Sequence, residues 1–79
     1  MMNNELMRKY TELLKKHEVL TNRYKELERM EKELDENKSI SEQTRLQNLS
    51  KLAQEYEKIA TLMKEVAEDA KQLSDSINV

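Results

Sequence analysis

Leu6, Leu13, Leu20, Leu27 and Leu34 recur at every seventh residue, and Tyr10, His17 and Tyr24 stand between them at alternating steps of three and four. Such spacing keeps one stripe of a helix turned toward a neighbour, which is the heptad signature of a coiled coil. With the leucines at d, the a positions hold Asn3, Tyr10, His17, Tyr24 and Glu31. A second train follows, with Leu49, Tyr56, Met63, Ala70 and Ile77 at a and Leu52, Ile59, Val66 and Leu73 at d. Each train runs for four or more heptads and predicts one long helix.

The trains are out of phase, and the segment between them, residues 36–43, reads ENKSISEQ. A four-residue stutter in one continuous rod would shift the phase in the same way, but local chemistry favours a turn. Asn37 can end a helix in the left-handed conformation. Ser39 can cap the next helix with Glu42 as its capping-box partner, and Ser41 is a competing cap. Folding the chain back at residue 38 sets Leu6 opposite Ala70, Tyr10 opposite Val66, Leu13 opposite Met63 and His17 opposite Ile59. Leu20 then meets Tyr56, Tyr24 meets Leu52, and Leu27 meets Leu49. The two charged residues that interrupt the seams, Glu31 and Arg45, fall together. On the g side, Lys9 pairs with Asp69 and Arg23 with Glu55, while Lys16 lies along Leu62. The expected fold is all-α: two long antiparallel helices in a coiled-coil hairpin, about 3–36 and 40–77, with a turn near 37–39. The whole chain, 1–79, forms a single helical-hairpin domain.

The two borders of the seam differ. The g side is charged, whereas the e side carries Met7, Leu14, Thr21 and Glu28 on the first helix and Leu46, Ala53, Ala60 and Ala67 on the second. A hairpin held by its own seam does not require an apolar border there. Met7, Leu14, Leu46, Ala53, Ala60 and Ala67 are therefore the expected partner-binding residues, to be covered by a second hairpin in a four-helix bundle or by another protein's helix.

Composition narrows the remaining possibilities. The 79 residues include no Gly, Pro, Cys, Trp or Phe, and 38% are charged, which is the alphabet of long helices. Fourteen Lys and Arg stand against sixteen Asp and Glu, giving a net charge of −2. That balance argues against a nucleic-acid partner, which calls for a basic surplus. No window is apolar enough for a membrane span, so no membrane association is expected and the expected location is cytoplasmic.

Chemistry is equally sparse. His17 is the single histidine and stands without companion ligands, so a structural place in the seam is expected. The acidic run of Glu26, Glu28, Glu31, Glu33, Asp35 and Glu36 is interleaved with cations and reads as a solvated tip. The tyrosines at 10, 24 and 56 supply bulk to the seam, with their hydroxyls at its rim. No catalytic residue, cofactor, metal site or small-molecule substrate is expected, and the chain is read as a non-enzyme.

The function expected from this pattern is protein binding by a helical hairpin, as an adaptor or chaperone-like subunit. In outline the hairpin is similar to small co-chaperones of secretion-system needle subunits, a resemblance of two heptad trains and a turn. Plasmid-type RNA-binding hairpin dimers share that outline, but the acidic balance speaks against RNA. Two alternatives remain beside the adaptor: a homodimeric four-helix-bundle regulator and a small phage-type inhibitor protein.

Overall fold

Two helices, α1 (Asn4–Glu36) and α2 (Glu42–Ile77), lie side by side as an antiparallel hairpin in the computed structural model, which describes residues 4–77. Asn3, the first expected a residue, lies outside the described residues. The hairpin is 59 Å long and 15 by 13 Å across, so each helix has one neighbour along its full length. Leu, Glu and Lys dominate α1, Ala and Gln join them in α2, and neither Gly nor Pro occurs to interrupt either helix.

The seam rests on the d positions. Leu27, Ile59 and Leu73 are the buried side chains among the described residues. Leu6, Leu13, Leu20 and Leu34 of α1 and Leu52, Met63 and Val66 of α2 are half-buried around them. The a residues of α1 behave differently. Tyr10 and Tyr24 remain 47% and 45% exposed, and His17 and Glu31 are exposed. His17 thus stands on the rim and does not pack into the seam opposite Ile59. The cause is chemical: rings with polar atoms and a carboxylate keep those atoms in water while their apolar parts border the seam.

At the turn, four expectations are corrected. The connection spans residues 37–41, and α2 begins at Glu42 instead of near residue 40. Ser41, not Ser39, is the N-cap: the Thr44 backbone N–H donates to Ser41 Oγ at 3.1 Å, and the Arg45 N–H donates to the Ser41 carbonyl at 3.0 Å. Ser39 is occupied elsewhere, since its N–H and its hydroxyl both donate to Asn37 Oδ1, at 3.0 and 2.6 Å. Asn37 shapes the turn through that side-chain oxygen, not through a left-handed backbone; no described residue has positive φ.

The fourth correction concerns Arg45. It does not pair with Glu31. Its guanidinium donates to the backbone carbonyls of Leu34, Asp35 and Asn37. The first two are among the carbonyls left without partners at the end of α1, where the helix dipole is negative, and the third belongs to the turn. One cation on α2 thus satisfies several acceptors at once, a better arrangement than a single wet carboxylate. Glu31 instead accepts a hydrogen bond from the Tyr56 hydroxyl at 2.8 Å.

The register itself holds where it was most specific. Arg23 meets Glu55 across the helices at 3.6 Å. Beside them Tyr24 packs on Tyr56, edge to face, with ring centroids 5.3 Å apart, so the two rings meet each other. Lys16 and Leu62 line one groove. Lys9 and Asp69 also border a common groove, but the Lys9 ammonium pairs within α1, with Glu5 at 3.7 Å.

Candidate functional site

On either side of the d-position seam runs a border of quite different chemistry. The first, formed by g and c positions, is bounded at the tip by Arg23, Glu33, Lys51 and Glu55, at mid-length by Lys15, Lys16, Glu65 and Asp69, and at the open end by Lys9, Glu12 and Asp69. Its charges are engaged toward the tip. Arg23 bridges Glu26 at 3.3 Å as well as Glu55, and Lys58 adds a second cation to Glu55 at 3.3 Å. Val19 and Leu62, 66% and 44% exposed, form an apolar spot within it. Each such exposed pair is worth a fraction of a kcal/mol, and at mid-length Lys15, Lys16, Glu65 and Asp69 make no ion pair among the described residues.

The opposite border, formed by a and e positions, is apolar and open. Near the termini, Tyr10, Leu14 and His17 of α1 and Ala70, Ser74 and Ile77 of α2 surround one shallow groove floored by Leu13, Val66 and Leu73. Met7, Leu14, Leu49 and Ile77 are between 40% and 52% exposed, and Leu46, at 60%, extends the same border toward the tip. All six residues expected to bind a partner, Met7, Leu14, Leu46, Ala53, Ala60 and Ala67, are exposed. Thr21, in the same row, is half-buried.

Six residues of this surface were assigned by the heptad reading to the seam instead: Tyr10, His17, Tyr24, Leu49, Ala70 and Ile77. All are a residues and were placed in the seam. A signal existed in the sequence, because the d positions of α1 are uniformly Leu while its a positions are Tyr, His and Glu. Such a contrast shows that the helix turns its d row inward and its a row toward the border.

The tip closes this border with charge. Glu28, Glu31, Lys32, Asp35 and Arg45 gather around Leu34 and Leu49. Partial burial of Tyr56, its hydrogen bond to Glu31 and the negative charge of that carboxylate push the Tyr56 hydroxyl from 10.0 up to about 12. It stays protonated, as a donor to Glu31, throughout the neutral range. No set of three or more His, Asp or Glu side chains among the described residues is placed to hold a metal ion. No helix of the described residues is long and apolar enough to cross a membrane.

Comparison with known protein families, characterised proteins and solved structures finds no match.

Proposed function

We propose that this chain is a non-enzymatic, protein-binding hairpin, an adaptor or chaperone-like subunit that works through its a/e border. The observation that carries the reading is the asymmetry of the two borders. One is furnished with ion pairs that the chain supplies itself, and the other leaves Met7, Tyr10, Leu14, Leu46 and Ile77 about half exposed or more along one side. Contiguous apolar surface of this kind on a charged chain marks an interaction site. The regulatory homodimer is the same surface with a different occupant. The inhibitor reading differs only in what the bound partner does.

The test compares one substitution on each border. Ala60→Glu places a charge in the docking face, where desolvation without a partner costs association about 2 kcal/mol or more. Arg23→Glu disturbs the pairing with Glu55 on the other side and should leave assembly intact. Sedimentation or light-scattering mass is read for each variant, in purified form and within complexes isolated from cell extract, with helicity by circular dichroism as the check on folding. Loss of assembly in Ala60→Glu alone is the expected result. If Ala60→Glu keeps the assembled mass in both settings, the a/e border is not the working surface.

A further inference from the structure

The turn between α1 and α2 is written in letters that also suit a helix. Residues 37–41 read NKSIS, with no Gly or Pro, and no described residue has positive φ. The phase break agrees. Leu34 is the last d residue of the first train and Arg45 the first of the second, and a step of eleven residues is close to three full helical turns. A straightened segment would therefore keep both seams on one face of a single rod.

The turn is held by hydrogen bonds that a continuous helix would need for itself. In an unbroken helix the carbonyls of Leu34, Asp35 and Asn37 accept from the N–H groups of Lys38, Ser39 and Ser41, each four residues on. In the hairpin the Arg45 guanidinium donates to those same three carbonyls. The Ser39 N–H is diverted to Asn37 Oδ1, at 3.0 Å. Arg45 and the helical N–H groups thus compete for one set of acceptors.

We infer that Arg45 is a latch, and that releasing it lets the chain straighten and exchange α2 with a second copy. Two continuous helices then lie antiparallel. Every layer of the hairpin re-forms between chains, because residues set opposite by a fold at residue 38 are equally opposite across a two-fold axis there. Exchange of identical elements is a low-cost route to a dimer. The rod is about 110 Å long for residues 4–77, against 59 Å for the hairpin. It carries the a/e border twice, once in each half, so exchange duplicates that surface without covering it. One residue opposes the rod. Both heptad trains assign position 38 to the seam, so the two-fold axis sets Lys38 against its own copy. Like charges so placed favour the hairpin, as does the tether that keeps α2 at high effective concentration.

The full chain carrying Arg23→Cys and Glu55→Cys reads the outcome, since the native side chains meet across the helices at 3.6 Å and the parent has no cysteine. A short bifunctional thiol reagent links the two positions within one chain in the hairpin and between chains in the rod. In this background Arg45→Leu should raise the fraction linked between chains about tenfold or more at equal concentration, through loss of a charged donor. Adding Lys38→Ala should raise it further. X-ray scattering should give the resulting dimer a length of about 110 Å, with helicity undiminished. Links that stay within chains for both variants at every concentration would overturn the proposal. A linked dimer no longer than the hairpin would do the same. So would a loss of helicity in concentrated Arg45→Leu, because the rod needs no latch to keep its seam.

Discussion

The two borders of this hairpin flank the same seam, on the same pair of helices, yet they present opposite surfaces. On the g side, Arg23, Glu26, Glu55 and Lys58 form a connected set of ion pairs toward the tip. On the a/e side, tyrosines, leucines, methionine and alanines remain open to solvent. The difference teaches that a heptad train specifies more than a helix partner. The d residues hold the hairpin, and the choice of residues at a, e and g decides which border stays unfinished.

The largest effect is expected in the seam, where both borders meet. Leu27 is 1% exposed, and Leu27→Ala should cost about 2 to 4 kcal/mol through lost burial and the cavity left behind. Leu14→Ala, on the open border at 52% exposure, should cost the isolated hairpin less than about 1 kcal/mol. Urea unfolding of both variants at concentrations that keep the chain dissociated measures the contrast, and equal losses would erase the distinction between seam and border.

A smaller loss is expected at the turn. Arg45→Leu removes the donor to the last carbonyls of α1 and should cost about 2 kcal/mol, within the range for hydrogen bonds to a charged group. Glu31→Leu should add to it independently, because Glu31 bonds Tyr56 and not Arg45. A coupling of about 1 kcal/mol or more in that double-mutant cycle would contradict the arrangement.

The smallest effect is a pH dependence confined to the open border. The Tyr56 pKa is raised in the folded state, so its contribution is fully present below about pH 10 and is lost as the pH rises toward about 12. Glu31→Gln removes the neighbouring charge, and one tyrosine should then ionise at lower pH in an ultraviolet titration. An unchanged titration curve would show that the carboxylate does not govern this hydroxyl.

How much of this was legible in the letters varies with the kind of interaction. Long helices, the phase break near residue 38 and the pairing of Arg23 with Glu55 follow from side-chain spacing, and spacing is what a sequence displays. Arg45 was misassigned because its acceptors are backbone carbonyls, which no residue letter marks. The choice of Ser41 over Ser39 as cap was hidden for a related reason: Asn37 claims Ser39 through a turn whose geometry is local and three-dimensional. The six e residues were placed on the open border from periodicity alone. The width of that border was missed at Tyr10, His17, Tyr24, Leu49, Ala70 and Ile77, since position a was equated with burial. In a two-helix layer a helix rolls to favour its better apolar row, and here that row is the leucines at d.

The central claim is that the a/e border is covered when the protein is assembled and the g border is not. Thiol labelling tests this directly, with one cysteine placed on each side by Ala60→Cys or Glu65→Cys. Both sites are exposed in the single hairpin. In the assembled protein the thiol at position 60 should label many times more slowly than the thiol at position 65, and dilution below the assembly threshold should equalise the two rates. Equal labelling of both positions in the assembled protein, or protection of position 65 alone, would contradict the account.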